Sequence, residues 1–252
     1  MPPFSLHFDH PPYRLSGVVY AALLNHRPQL AALGDAAHQP PHKAPPQTPV
    51  LALRPRNALA LALAPAQASA QASAQAPAQA PGGATVTVPA DAPALQVGAS
   101  LGIVIGRPAC RVPVGQALQW VAGYTLVNDL SVPHASHYRP AVRHHARDGL
   151  CVIGPGVLPA GAIADPDALA VQISLDGQPA QTTNTAGRLR GVAQLIADIT
   201  DFMSLQAGDL LLLGASADAP LARAGQTVTI VIAGLGSQTV HLMAEQAAGD
   251  RA

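Results

Sequence analysis

Cysteine is nearly absent from this 252-residue chain, in which Cys110 and Cys151 are the only two. Two thiols cannot build the disulfide framework of a small secreted scaffold, and nothing at the start reads as a signal peptide, so a reducing cytoplasm is the simplest compartment. Charge of one sign is missing as well. The 14 basic and 14 acidic side chains cancel, leaving no basic stripe for a nucleic-acid backbone and no acidic field to steer a cationic partner. Long hydrophobic runs are also lacking. The strongest early one, residues 18–24, is too short to span a bilayer and is followed at once by Asn25, His26 and Arg27. Neither nucleic acid nor membrane is an expected partner. Aromatic residues are scarce, at 3%, a compositional bias that carries little functional weight.

Apolar residues make up 49% of the chain, enough for the core of one large domain. Short apolar runs bounded by turn residues predict strands at 17–24, 50–53, 85–88, 101–105, 124–130, 171–175, 210–213 and 228–232. Asp176-Gly177, behind the alternating stretch 171–175, marks a hairpin turn. Apolar residues at helical spacing, Val192, Leu195, Ile196 and Ile199, predict a helix over 188–203, with shorter helices near 29–33 and 113–120. Strands do not alternate regularly with helices, so the expected class is α+β and β-rich, with a few short helices. Residues 1–16 read as an irregular N-terminal arm, 17–240 as the domain and 241–252 as a flexible tail. Within the domain, 64–83 repeats Ala-Gln-Ala-Ser and Ala-Gln-Ala-Pro without a large apolar side chain, the composition of a solvated insertion. A frayed helix, bounded by Pro65, Pro77 and Pro81, is the competing reading.

Eight short segments follow one another in a telling order. They are Leu24-Asn25, Arg54-Pro55-Arg56-Asn57, 101–106 ending in Val-Ile-Gly, 122–129 from Ala-Gly-Tyr to Asn-Asp, Tyr138-Arg139-Pro140, Arg147-Asp148-Gly149, Asn184-Thr185-Ala186, and 201–209 from Asp-Phe-Met to Gly-Asp. Together they resemble the fumarylacetoacetate hydrolase family over about 17–236. The resemblance implies a mixed β-roll or sandwich, with a Mg or Mn ion held by a Glu-x-Glu pair and a later Asp. Such an ion acts as a Lewis acid on an oxo-acid, stabilising the enolate of a decarboxylation or isomerisation. The Arg54-Pro55-Arg56-Asn57 box, behind Lys43-Ala44-Pro45-Pro46, is most similar to one branch, that of 4-hydroxyphenylacetate degradation. There, two homologous halves, fused or separate, decarboxylate 5-oxopent-3-ene-1,2,5-tricarboxylate and isomerise 2-hydroxyhepta-2,4-diene-1,7-dioate. This chain has the length of one half. The implied partners are a metal-bearing second-half subunit or a second copy of itself, and a small di- or tricarboxylic oxo-acid.

The family's metal ligands are largely replaced here. The two glutamate positions fall on Gly98 and Ser100, and only Asp129 of the three ligands is kept. A hard cation needs several oxygen ligands, so the expected site is metal-poor and the ion falls to the partner half. Restoring glutamates at 98 and 100 should raise affinity if the backbone keeps the family geometry. The lid His-x-x-Glu dyad falls on Gln29 and Ala32, the lysine before Asp148 on His145, the box lysine on Arg54, and the threonine of the Gly-Thr-Pro turn on Ala215.

For the remaining candidates a functional and a plain reading both stand. Asp129 is either a metal ligand or a turn carboxylate at a strand end. His134, His137, His144 and His145 could rebuild a transition-metal site, but surface histidines on loops are the commoner outcome. Arg54, Arg139 and Arg143 suit bidentate binding of substrate carboxylates, or ordinary ion pairing. The substrate-binding candidates are therefore Arg54, Tyr138, Arg139, His145 and Thr185. Arg147-Asp148 reads as a local pair, Cys151 as a buried thiol without an activating base, Gly154-Pro155-Gly156 as a turn, and Arg188 and Arg190 as exposed. The sequence leaves open an enzyme subunit or a scaffold that has lost its chemistry.

Overall fold

A computed structural model describes residues 8–10, 13–40, 43–62, 83–134 and 142–246. The low-complexity segment lies outside the described residues except at Gly83, which starts a strand. The strands are β1 Phe8–His10, β2 Tyr13–Leu15, β3 Val19–Leu23, β4 Val50–Arg54, β5 Leu59–Leu61, β6 Gly83–Val88, β7 Leu95–Gln96, β8 Ala99–Ile105, β9 Val121–Asp129, β10 Cys151–Ile153, β11 Leu158–Pro159, β12 Ala170–Leu175, β13 Gln178–Asn184, β14 Leu210–Leu212, β15 Leu221–Ala222, β16 Thr227–Ile232 and β17 Gly236–Ala244. Among the described residues an eight-stranded sheet runs β4-β3-β14-β8-β9-β10-β5, with β11 added on β9. A five-stranded sheet runs β13-β12-β16-β17-β6. This is the β-rich α+β architecture that the strand pattern predicts.

β8 carries the organisation. All seven of its residues are buried, because both faces are covered. On the face shared by Ala99, Leu101 and Ile103, Ala99 joins Leu126, Ile173, Ile230 and Val240 of one apolar cluster, and Leu101 and Ile103, with Ile105, pack with Val192, Leu195, Ile196 and Ile199 of the helix Val192–Phe202. On the other face Val104 packs with Leu15, Val19, Leu210 and Leu212. Each such side chain gains about 1.5–3 kcal/mol on leaving water. Gly102 is required on this strand, since a Cβ there would stand 2.8 Å from Thr125 Cγ2 and 2.9 Å from Val127 Cγ2.

The hairpin turn is as expected: Asp176 and Gly177 both have positive φ, 51° and 77°, matching the twist between β12 and β13. The Asp176 carboxylate also accepts the Thr227 N–H at 2.8 Å. Other boundaries differ. The long helix begins at Val192 rather than 188, because the Asp167 carboxylate accepts the Val192 N–H at 2.9 Å and stops the helix there. The expected helix at 113–120 is a 3-10 helix, Val114–Trp120. Residues 241–244 of the expected tail belong to β17, which pairs with β6 and β16 and turns Gln238, Val240 and Leu242 inward. The arm is not wholly irregular: β1 pairs with β2, Leu15 is buried, and the Ser16 hydroxyl donates to Asp209 at 2.6 Å. No helix among the described residues is long and apolar enough to cross a membrane.

Candidate functional site

β9 ends at Asp129 and β4 ends at Arg54, and the two strand ends deliver one ion pair. Arg54 Nε and one terminal nitrogen each donate to an Asp129 oxygen at 2.6 Å. The Arg54 side chain is completely buried and that of Asp129 is 12% exposed. Burial works against the guanidinium charge, yet the Asp129 carboxylate more than offsets it and the net shift of the Arg54 pKa is upward. Both oxygens of the one retained family carboxylate are therefore engaged.

The two glutamate positions are closed as well. Gly98 O accepts the Asp129 N–H at 3.0 Å, and a Cβ on Gly98 would stand 2.3 Å from the Asp129 carbonyl oxygen. Only glycine allows that approach. Ser100 is buried, and its hydroxyl oxygen accepts the Gly214 N–H at 3.1 Å, holding the turn after β14. A Mg or Mn ion needs about six oxygen ligands in fixed geometry. These residues do not fit one: a carboxylate neutralised by arginine, a glycine without room for a side chain, and a hydroxyl already in use.

A narrow cleft opens beside Asp129, bordered by Gln29, Ser131, His134, His145 and Ser216, with about 50 Å³ of open space. That admits a carboxylate group and little more. His145 is buried rather than on the surface as expected, since Val132 N–H donates to His144 O at 3.0 Å and draws the short helix Val142–His145 inward. The His134 ring stacks on His144, with centroids 5.0 Å apart, and meets His145 edge-on at 4.9 Å. Partial burial, then the neighbouring His134 and Arg143, lower the His144 pKa. Among the described residues no group of three His, Cys, Asp or Glu side chains is arranged to hold a metal.

The structure thus brings Arg54, Asp129 and His145 together, while Tyr138, Arg139 and His137 lie outside the described residues. Arg54 gives its Nε and one terminal nitrogen to Asp129, and its other terminal nitrogen is buried without an acceptor. Thr185 is buried away from the cleft: its hydroxyl donates to Pro166 O and accepts the Leu169 N–H, both at 2.8 Å. Arg147 pairs with Asp91 at 2.7 Å, not with Asp148, which takes the Asn57 amide instead. Cys151 is fully buried, and burial followed by the Asp129 charge pushes its thiol pKa well up, as suits an unreactive thiol. Neither Arg188 nor Arg190 is exposed as expected. Arg190 bonds Asp198 at 2.6 Å, and Arg188 is 7% exposed, touching Ala215 and Ser216 at the cleft wall. Sequence reasoning placed Arg188 on the surface, because residues 188–190 read as the first turn of a helix, and passed over Ser216, which carries no motif.

A larger groove of about 760 Å³ lies elsewhere, between residues 47–49 and Val114, Gln194, Asp198 and Phe202. It gathers no reactive groups.

Comparison with known proteins agrees with this architecture. The family described as "Fumarylacetoacetate (FAA) hydrolase C-terminal" matches residues 18–243. The 4-hydroxyphenylacetate degradation bifunctional isomerase/decarboxylase of Escherichia coli is 34% identical over 200 residues, 79% of this chain and 41% of that protein. The protein of the same name from Salmonella dublin is 32% identical over 231 residues, 92% of this chain and 48% of that one. The chain therefore spans less than half the length of these relatives. Among solved structures, fumarylpyruvate hydrolase from Pseudomonas aeruginosa, in complex with Mn2+ and pyruvate, superimposes with a TM-score of 0.75 at 20% identity, covering 92% of this chain and 91% of that one. The 2-hydroxyhepta-2,4-diene-1,7-dioate isomerase of Mycobacterium marinum gives 0.68 at 24% identity, covering 92% and 76%. These two likenesses concern the fold.

Proposed function

Since the chain belongs to the fumarylacetoacetate hydrolase family, we propose that it is one half of a two-part isomerase/decarboxylase of aromatic catabolism. The observation that carries this reading is its identity of 34% to a bifunctional enzyme of which it spans only 41%. The substrates are then 5-oxopent-3-ene-1,2,5-tricarboxylate and the 2-hydroxyhepta-2,4-diene-1,7-dioate formed from it. The divalent ion, Mg or Mn, resides in the homologous second half, which supplies the Lewis acid. In this half His145 borders the space next to Asp129, and Tyr138 and Arg139 contribute polar groups to substrate binding. Arg54 holds Asp129 in place, and Thr185 ties the chain near Pro166 and Leu169 rather than touching substrate.

One observation favours a second reading, a scaffold without catalysis of its own: the bidentate Arg54–Asp129 pair leaves no carboxylate for a metal. Purifying the chain alone and together with a metal-bearing second half, followed by metal analysis and ultraviolet assay of the dienoate, separates the two. Turnover that needs both halves, and falls on His145→Ala in this chain, supports the first. Turnover by the second half alone, unchanged by adding this chain, supports the scaffold and overturns the first.

A further inference from the structure

Arg188 is a buried cation that enters no ion pair among the described residues. It follows Gly187, whose φ of 72° turns the chain, and bridges to His26 as an isolated antiparallel pair. That bridge carries the arginine side chain under the surface, where 7% of the residue remains exposed. A buried guanidinium normally takes a carboxylate, because an uncompensated charge in the interior costs several kcal/mol. This one has none: no ion pair among the described residues includes it. Its hydrogen bonds are long, 3.3 Å to Ala215 O and 3.5 Å to the Ser216 hydroxyl, and the Nε–H is buried without an acceptor. Of five N–H donors, two are weakly used.

Its surroundings fix which ligand would answer this need. Asp167 is the nearest acid to act on it, but that carboxylate is committed to the Val192 N–H at the helix start. His26 presents Nδ1 as acceptor to the Ala217 N–H at 2.9 Å, and burial, then the Arg188 charge, lower its pKa, so it brings no competing positive charge. Ser216 is 6% exposed and borders the cleft next to Asp129. Its hydroxyl lies 3.1 Å from that of Thr183 and 3.5 Å from Arg188, so it can donate to a ligand while the arginine supplies the charge behind it. The cleft space of about 50 Å³ matches a carboxylate rather than a whole di-acid.

We propose that Ser216 on the cleft wall, with Arg188 supplying positive charge from behind it, forms an anion-binding corner that takes one carboxylate of a small organic acid. This rests on the reading of the cleft as a substrate site and names which residues anchor the substrate's charge. It places the anchor on Arg188 and not on Arg54, whose charge is consumed by Asp129.

The test is direct binding, independent of turnover. The full chain is titrated with acetate and with glutarate at constant ionic strength, followed by amide chemical shifts, on wild type, Arg188→Lys, Arg188→Gln and Ser216→Ala. Saturable shifts at residues 214–217 are expected for wild type. Arg188→Gln removes the positive charge behind Ser216 and should weaken binding about tenfold. Arg188→Lys should keep part of the affinity and Ser216→Ala should lose part of it, with each variant's fold confirmed by its amide spectrum. Absence of saturable shifts in wild type, or wild-type affinity in both Arg188→Gln and Ser216→Ala, overturns the proposal. Binding by a chain that never supports turnover would keep the proposal and reject the subunit function.

Discussion

Arg54 Nε and its terminal nitrogen reach the two oxygens of Asp129 at 2.6 Å each, with the arginine side chain fully out of water. A residue of the proline-rich box is thus tied to the end of β9. The pair sets the position of Asp129 and neutralises it in the same contact.

Breaking this pair from one side should be costly and removing both charges mild. Arg54→Met leaves a largely buried carboxylate alone and is expected to lower unfolding free energy by about 3–5 kcal/mol. Adding Asp129→Leu should recover most of that loss. Urea unfolding of the two variants and wild type measures it; equal stability of Arg54→Met and wild type would mean that the pair contributes nothing.

Tyr124 supplies a pH dependence. It is buried on β9, and burial, then the Asp167 charge, push its hydroxyl up to about 12 from 10. The unfolded chain releases that proton first, so the folded state binds more protons between these values. The tyrosine's contribution is complete below pH about 10 and lost as pH rises toward about 12. Tyr124→Phe should flatten the fall in stability across that window, read by urea unfolding at stepped alkaline pH.

How much of this was legible in the sequence differs by kind of contact. The Asp176-Gly177 turn and the apolar face of the helix Val192–Phe202 are local patterns, and both stand where periodicity places them. β17 was not foreseen from the sequence, because its inward positions include Gln238 and its outward ones Met243, which blurs the alternation. The helix start was misplaced because its cap, Asp167, comes from a distant segment. The same holds at the site. The loss of glutamates at 98 and 100 is visible in the residues, whereas the closure of Gly98 on the Asp129 backbone and the inward turn of Arg188 arise only from pairing across the sheet.

The two cysteines should differ sharply in reactivity. Cys110 is exposed and Cys151 is buried with its thiol pKa raised by burial. A water-soluble disulfide reagent should modify one thiol in the native chain and both after denaturation. Cys110→Ser should leave no fast-reacting thiol, and rapid labelling of Cys151 in the native protein would contradict its burial.

Restoring the family's carboxylates tests how far the site has been rebuilt. On ligand count alone, Gly98→Glu with Ser100→Glu would complete a three-carboxylate set with Asp129. The geometry argues otherwise: a Cβ at 98 falls 2.3 Å from the Asp129 carbonyl oxygen, so β9 would have to move away from residue 98 before the glutamate could point anywhere. At 100 the substitution removes the hydroxyl that accepts the Gly214 N–H. Overpacking of this kind costs on the order of 1–3 kcal/mol, and a lost buried hydrogen bond a similar amount. Arg54 would still compete for Asp129. The expected result is therefore a destabilised double variant with no gain in Mn affinity by calorimetry. Adding Arg54→Lys, which gives up the bidentate grip, is the change that should begin to release Asp129. Tight Mn binding by Gly98→Glu, Ser100→Glu with Arg54 intact would show that the backbone near 98 yields readily and that the ion pair gives way to a metal.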